Sequence, residues 1–239
     1  MMQTLIEGAQ RLNFGLTQEQ IRQFQDYCQK LMAEAPSVGL TAVIDPEGIQ
    51  RRHFLESLAL LAVLKQKGAI GEKAIDIGSG AGFPGLPFKI VEGQLALTLV
   101  ESSRKKAAFL ERLVQDLGLS DVQVVCVRAE ELAHNPGYRE CYDLALARAL
   151  APLPTLVELA LPFLCLGGHL AAPKGSRALQ EVEVATTALA LCGGQVEETQ
   201  RLDVPGVRVA PILVLIRKVA PTPSRFPRRP GIPAKRPLR

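Results

Sequence analysis

The stretch from Ala74 to Pro87, with the sequence AIDIGSGAGFPGLP, constrains the fold of this 239-residue chain more than any other. An apolar run that ends near an acid meets four glycines at close spacing and then two prolines, a pattern typical of a strand, a tight loop and the first turn of a helix. Glycines let backbone N–H groups approach a ligand where a Cβ would clash, and the helix N-terminus adds unpaired donors. The stretch therefore predicts a ligand-binding loop between a buried strand and a helix.

Short apolar segments alternate with helical patterns from Lys73 onward. Predicted strands lie at 73–77, 95–100, 122–127, 143–147 and 169–172, and predicted helices begin near 84 or span 103–117, 154–164 and 176–191. Strands that are apolar throughout and separated by helices indicate a parallel sheet covered on both faces. The last two strands, near 195–203 and 207–217, are separated by a turn at 203–206 that is too short for a helical crossover, so they are predicted to form an antiparallel hairpin.

Three regions are expected along the chain. Residues 1–67 form a predicted helical extension packed on the core, with Thr17 and Gln20 in capping-box spacing and Asp45-Pro46 starting a further helix. Residues 68–218 form the main α/β domain. Residues 219–239 carry six prolines and no acid, together with Arg225, Arg228, Arg229, Lys235, Arg236 and Arg239. This tail is predicted to be either a solvated, extended terminus or an arm that contacts phosphates.

Cysteine spacing and the N-terminal sequence indicate the cellular compartment. The five cysteines are far apart and form no C-x-x-C pair, which favours a reducing compartment over a disulfide scaffold or a zinc site. The N-terminus lacks the features of a signal peptide, and charged residues or prolines interrupt the apolar stretches, so we expect a cytoplasmic protein that does not enter a membrane. We expect no metal site, because His53 has no further ligands at suitable spacing. A monomer is expected.

The glycine loop fits two classes of cofactor. Gly80 to Gly85 match G-x-G-x-x-G, a weak signal for a dinucleotide. Asp76 would repel a pyrophosphate but would favour S-adenosylmethionine, which carries a sulfonium and an ammonium group. Glu101, after the next strand, has the spacing of a ribose-binding acid in both interpretations. A terminal antiparallel hairpin favours the seven-stranded sheet of the class I methyltransferases over a six-stranded dinucleotide domain.

A family resemblance extends over most of the chain from about Val38. The sequence from Asp76 to Pro87 resembles the signature of the 16S rRNA guanine-N7 methyltransferases of the RsmG type, formerly called glucose-inhibited division protein B. Gly39 and Glu56 depart from the residues usual in that family, which are Asn and Asp. Further matching segments follow in the family's order: 40–42, 52–58, 101–106, 109–110, 128–131, 148–149, 173–175 and 227–233.

The resemblance implies a class I, Rossmann-like fold and roles for individual residues. Gly78 and Phe83 would contact the methyl donor, Glu101 would bind its ribose, and Ala129 and Glu130 would flank its adenine. From the residues themselves, Asp76 and Gly80 also belong to the donor loop. Arg148 would lie after the fourth strand, at the donor and substrate side; alternatively, it is a structural ion-pair partner of Asp143 or Glu130.

The resemblance also implies the substrate, a guanine in the 530-loop region of 16S rRNA, either free or in the small ribosomal subunit. Guanine N7 is a lone-pair acceptor, so no general base is expected, and Arg148 and Lys174 would position the substrate. Two alternatives remain at this point: a nicotinamide-dependent oxidoreductase, and a non-catalytic RNA-binding or ribosome assembly factor. Basic residues predicted to contact RNA are Arg104, Lys105, Lys106, Lys174, Arg177, Arg228 and Arg229.

Overall fold

The architecture is a seven-stranded sheet with helices on both faces. The computed structural model describes residues 2–238; Met1 and Arg239, the last arginine of the predicted basic tail, lie outside the described residues. The strands are β1 (Lys73–Ile77), β2 (Ala96–Val100), β3 (Val122–Val125), β4 (Tyr142–Leu146), β5 (Leu164–Lys174), β6 (Gly194–Arg201) and β7 (Ile212–Lys218). Their spatial order is β3-β2-β1-β4-β5-β7-β6.

The first five strands are mutually parallel, and β7 is antiparallel to both β5 and β6. The predicted terminal hairpin is thereby confirmed, but its bounds were wrong. The connection between β6 and β7 runs from 202 to 211 and is held by buried Leu202 and Val204 and by the 2.9 Å hydrogen bond from Leu202 N to Pro211 O. Apolar residues continue from both strands into this anchored loop, and for that reason the apolar pattern predicted strands that reach too far into it.

Helices cover the two faces of the sheet. They are α1 (Gln3–Arg11), α2 (Gln18–Val38), α3 (Pro46–Ile49), a π-helical segment (Gln50–Leu55), α4 (Glu56–Gln66), α5 (Gly85–Val91), α6 (Arg104–Asp116), α7 (Ala129–Leu132), α8 (Leu153–Ala160), a 3-10 turn (Leu161–Phe163), α9 (Ala178–Val184), α10 (Thr186–Cys192) and α11 (Ile232–Lys235). The predicted helix 176–191 is thus two helices, α9 and α10. Among residues 2–238, no helix is long and apolar enough to cross a membrane.

The N-terminal helices pack against the main domain rather than standing apart from it. Leu5, Phe24 and Leu31 are fully buried in the same apolar cluster as Phe88 and Leu97 of the α/β domain. The capping box is present, with Gln20 N donating to Thr17 Oγ1 (3.2 Å) and Thr17 N donating to Gln20 Oε1 (2.9 Å). A second apolar cluster, with α8 and α10, covers the other face of the sheet.

The basic C-terminal segment folds back onto the domain, so the prediction of a solvated, extended terminus is wrong. Phe226 is buried, and the Arg139 guanidinium donates to the carbonyls of Thr222 (2.7 Å) and Phe226 (2.9 Å). Arg228 forms an ion pair of 2.7 Å with Glu158, a fully buried carboxylate on α8. Prolines lack the N–H groups that would pair the carbonyls of this segment, and Arg139 of the main domain supplies donors instead. In return, Arg228 of the segment provides the cation that buried Glu158 requires.

Candidate active site

The glycine loop links β1 to α5 at the carboxyl edge of the parallel strands. Gly78 has φ +70°, a left-handed conformation that favours glycine, and a Cβ added there would lie 2.5 Å from Leu150 Cδ1. Gly78 N donates to Val100 O (2.8 Å), which fixes the loop to the end of β2. This edge of an open α/β sheet is where such folds bind ligands.

A cleft of about 850 Å³ opens at this edge. Its walls come from the glycine loop, from the segments after β4 and β5, and from the N-terminal extension. This volume is within the range of sites for small molecules and cofactors. The lining residues that bear on the chemistry are Thr41, His53, Glu56, Gly78, Gly80, Phe83, Lys106, Arg148, Leu150, Lys174 and Arg201.

Asp76 lies beneath the loop and does not line this cleft. Its Oδ2 accepts a hydrogen bond from Gly85 N (2.9 Å), and a Cβ at Gly85 would lie 2.7 Å from the same oxygen. Burial raises the pKa of Asp76 to about 7, against the lowering effects of the Gly85 N–H and Arg148. Its Oδ1 is the only buried side-chain nitrogen or oxygen of the described residues that lacks a hydrogen-bond partner. Because Asp76 is fully buried, it supports the loop from beneath through Gly85 N and has no surface for direct contact with a ligand in the cleft.

Glu101, at the end of β2, holds the loop from the other side. Its Oε2 accepts from Gly80 N (3.1 Å) and its Oε1 from Ser103 N (2.8 Å). The Glu101 carboxylate thus holds the glycine loop and also accepts from Ser103 at the start of α6. The contact with Ser103 is the one expected if Glu101 had only a structural role. Each of its oxygens has a second lone pair, which a ribose hydroxyl can use.

Arg148 follows β4 and is held by the N-terminal extension. Its Nη1 donates to Arg52 O (3.0 Å) and to Glu56 Oε1 (3.1 Å), and its guanidinium carbon lies 5.2 Å from the centre of the Phe83 ring. The expected structural partners were wrong: Asp143 accepts instead from Glu72 N and Lys73 N, both at 2.9 Å, and Glu130 accepts from Gly231 N at 2.9 Å. Arg148 and Glu56 are each less than one-fifth exposed, so their ion pair is well shielded from water.

His53 completes the setting of Arg148. Arg148 Nη2 lies 3.0 Å from His53 Nδ1, and His53 Nε2 lies 2.9 Å from Thr41 Oγ1. Nδ1 also lies 3.0 Å from Arg52 O, so it either accepts from Arg148 or, when protonated, donates to Arg52 O, and Nε2 pairs with Thr41 Oγ1 in both tautomers. Burial and the charge of Arg148 lower the pKa of His53 to about 4. The imidazole is consequently neutral near pH 7 and contacts Arg148, Arg52 O and Thr41.

An aromatic stack supports the same side of the cleft. Phe83 stacks on Tyr27 with the ring centres 5.1 Å apart and on His53 at 4.6 Å. Tyr27 is fully buried, and its hydroxyl donates to Ala81 O (2.5 Å) in the glycine loop. Sequence reasoning did not identify Tyr27, Thr41 or His53 as part of the site. The helical spacing of Phe24, Tyr27 and Leu31 could have placed Tyr27 on the buried face of α2.

The structure brings together only some of the predicted site residues. Lys106, Arg148 and Lys174 line the cleft, and Lys174 Nζ donates to Ala151 O (2.6 Å) and pairs with Glu181 (2.9 Å). Ala129 and Glu130, at the start of α7, do not line it. Arg104, Lys105, Arg177 and Arg229 have exposed side chains, whereas Arg228 is engaged with Glu158.

S-adenosylmethionine is compatible with the residues present. The carboxylate of Glu101, whose remaining lone pairs can accept from a ribose, and a left-handed loop residue at Gly78, where a side chain would be strained and would meet Leu150, suit a nucleoside ligand, with the acid Asp76 beneath the loop. The sheet order and this loop define a class I methyltransferase, the class that takes its methyl group from S-adenosylmethionine. Within residues 2–238, no group of three or more His, Cys, Asp or Glu side chains is arranged to hold a metal ion.

Comparisons with known proteins identify the family. Residues 20–206 match the family model GidB, described as rRNA small subunit methyltransferase G. The chain is 47% identical to Ribosomal RNA small subunit methyltransferase G of Roseiflexus castenholzii, covering 99% of this chain and 100% of the relative. It is 42% identical to the protein of the same name from Dehalococcoides mccartyi, again over 99% and 100%. The chain belongs to the rRNA small subunit methyltransferase G family, which confirms the resemblance seen in its motifs.

Solved structures share the fold at low sequence identity. A Burkholderia thailandensis 1,6-didemethyltoxoflavin-N1-methyltransferase with bound S-adenosylhomocysteine aligns with TM-score 0.54 and 15% identity, covering 82% of this chain and 90% of that chain. TrmN from Thermus thermophilus aligns with TM-score 0.50 and 19% identity, covering 71% and 53%. The predicted fold class is confirmed, and neither the oxidoreductase nor the non-catalytic alternative finds support.

Proposed function

We propose that this protein transfers a methyl group from S-adenosylmethionine to N7 of a guanine in the 530-loop region of 16S rRNA, free or in the small ribosomal subunit. The observation that carries the proposal is the placement of Arg148. It follows the carboxyl end of β4 and lines the cleft together with Gly78, and the N-terminal extension holds it through Glu56, the Arg52 carbonyl and His53. Family membership supports the choice of rRNA.

The reaction requires little proton chemistry from the protein. When bound, S-adenosylmethionine supplies an electrophilic methyl group, and guanine N7 offers a lone pair that needs no prior deprotonation. The protein therefore has to align N7 and to exclude water. His53 is neutral and committed to Arg148 and Thr41, which agrees with a site that uses no general base.

Partial engagement of Arg148 suits an N7 acceptor. A free guanidinium binds guanine through O6 and N7 together, and such a pair would occupy the lone pair that must react. Two donated bonds already tie Arg148 Nη1 to Glu56 and Arg52 O, and its Nη2 lies 3.0 Å from His53 Nδ1. In the proposed complex, its remaining N–H groups reach O6 of the base or the carboxylate of the donor and leave N7 free. Lys174, held by Ala151 O and Glu181, would position the substrate at the β5 side of the cleft.

The donor would be held along the carboxyl edges of β1, β2 and β3. The backbone at Gly78 and Gly80 and the ring of Phe83 would contact its methionine part, with Asp76 beneath the loop. Glu101 would bind the ribose, and Ala129 and Glu130 would flank the adenine. We propose that Glu130 does so while its Oε1 accepts from Gly231 N of the C-terminal segment (2.9 Å).

The RNA has to present its guanine outside a regular duplex. The deep, narrow major groove of A-form RNA conceals N7, so the target lies in a loop or is displaced from its stack. Exposed Arg104, Lys105, Arg177 and Arg229, with Lys106 at the cleft, are the proposed phosphate contacts. Arg228 contributes to the fold of the tail through Glu158 and only secondarily to RNA. The protein would act in the cytoplasm as a monomer.

Transfer of a radiolabelled methyl group tests this function. Purified protein is incubated with labelled S-adenosylmethionine and with either 16S rRNA or small subunits. Label in the rRNA, with calorimetric binding of S-adenosylhomocysteine but not of a nicotinamide cofactor, is expected. Nicotinamide binding without S-adenosylhomocysteine binding, or S-adenosylhomocysteine binding without any rRNA labelling, would contradict it.

A further inference from the structure

A second cavity, of about 810 Å³, adjoins the cleft. Its walls are residues 42–56 of the N-terminal extension and residues 206–209 of the connection between β6 and β7. Glu56 and Val209 line both cavities, so the two spaces are contiguous. Neither wall belongs to a strand of the sheet.

Hydrogen bonds and buried side chains hold the walls of the second cavity. The Arg51 side chain joins its two walls: Nη2 donates to Glu47 Oε1 (2.6 Å), and Nη1 donates to Gly206 O (3.1 Å) on the opposite wall. The connection is anchored by buried Leu202 and Val204, while Arg208 and Val209 on the same segment are exposed. These contacts hold the two walls of the cavity together.

The charges of this cavity favour an anion. Glu47 is neutralised by Arg51 and Glu56 by Arg148, while Asp45 uses Oδ1 to accept from Gly48 N (2.6 Å). By contrast, the exposed side chains of Arg52 and Arg208 have no hydrogen-bond or ion-pair partner among residues 2–238. Two free guanidinium groups remain against one acid, next to the cleft where a nucleic-acid base is to be methylated.

We infer that the second cavity binds the RNA backbone beside the target guanine, with Arg52 and Arg208 contacting its phosphates. The inference rests on the proposed function and assigns part of its substrate contact to the N-terminal extension. A nucleotide displaced from its stack draws its flanking phosphates close to the protein, and a cavity contiguous with the cleft is where they would lie. The same segment of the extension, Arg52 to Glu56, would then hold both the RNA backbone and Arg148.

Salt-dependent RNA binding tests the inference without requiring catalysis. A fluorescent 16S rRNA fragment that contains the 530 loop is titrated with wild-type protein, Arg52→Gln and Arg208→Gln over a range of salt concentrations. Each single-stranded phosphate contact contributes about 0.7 to the slope of log affinity against log salt, so each variant is expected to lose about that amount. Arg217→Gln is the matched control, because Arg217 is exposed, lies opposite His169 in the β5–β7 ladder and lines neither cavity.

The outcomes separate the inference from the proposed function. Reduced slopes in both cavity variants, with an unchanged slope in Arg217→Gln and unchanged S-adenosylhomocysteine binding, would support the inference. Slopes equal to that of the wild type, or an equal reduction in Arg217→Gln, would overturn it even if rRNA methylation proceeds. Absence of methylation by the wild type would instead count against the proposed function, and the binding slopes would still decide on the cavity.

Discussion

Replacing Arg228 with alanine should destabilise the whole protein, although this residue lies in a tail that composition alone describes as solvated. Glu158 is fully buried, and Arg228 provides three of its hydrogen bonds: N and Nε donate to Oε1 at 2.8 and 2.9 Å, and Nη2 donates to Oε2 at 2.7 Å. Removing one partner of a buried ion pair costs about 3–5 kcal/mol because the remaining charge is uncompensated. Since the backbone N–H of residue 228 still donates to Glu158, we expect the free energy of unfolding to fall by about 3 kcal/mol, the lower end of that range.

Urea unfolding followed by far-UV circular dichroism measures this loss, since the chain has no tryptophan. In a domain of this size, about 3 kcal/mol corresponds to a lowering of Tm by roughly 6–12 °C. Arg229→Ala is the control, because the neighbouring side chain is exposed. The double variant Arg228→Ala, Glu158→Gln should recover part of the stability, since it removes the stranded charge. Equal stability of the two single alanine variants would refute the reasoning.

Three further predictions concern the cleft. Gly78→Val should abolish S-adenosylhomocysteine binding by calorimetry, whereas Gly93→Val, where a Cβ meets nothing within 4 Å, should bind normally; retained binding in the first variant would contradict the loop assignment. His53→Leu should lower kcat about tenfold or more with little change in KM for the donor, because Arg148 loses its polar neighbour, and His53→Asn, which keeps a polar group there, should retain part of the activity; identical kinetics of the two variants would exclude the positioning role. The raised pKa of Asp76 means that the ligand-free fold binds an extra proton, so its contribution to stability is present below about pH 4 and is lost as pH rises to about 7, by as much as about 4 kcal/mol. The lowered pKa of His53 acts with the opposite sign between about pH 4 and 6.5, so the difference between wild type and Asp76→Asn is the quantity to measure; an identical pH dependence of the two proteins would exclude the effect.

Elements whose burial follows from periodicity could be predicted from the sequence. Strand β1 has the predicted bounds, because Lys73 to Ile77 form a short apolar run next to glycines. Glu101 and the glycine loop were also placed correctly at one edge of the sheet, since the carboxyl ends of parallel strands converge there.

Contacts between distant segments could not be predicted in this way. The partner of Arg148 is Glu56, 92 positions away, and the choice among several acids depends on how the N-terminal extension docks. The fold of the tail depends on Glu158, which accepts from Arg228, and on Arg139, which donates to carbonyls of the tail. These groups come together only after the domain has formed. Local composition carries no information about either pairing, so it offered only a solvated, extended terminus or a phosphate-contacting arm, and the first of these is wrong.

Mapping of N7-methylguanine in 16S rRNA tests the central claim most directly. The gene is deleted in its own host and restored either as wild type or as Gly78→Val, and the rRNA is cleaved chemically at N7-methylguanine. A single cleavage site in the 530-loop region that is lost on deletion and returns only with the wild-type gene is the predicted result. A modification pattern that is unchanged by deletion, or a methyl group that maps to another atom of the base, would contradict it.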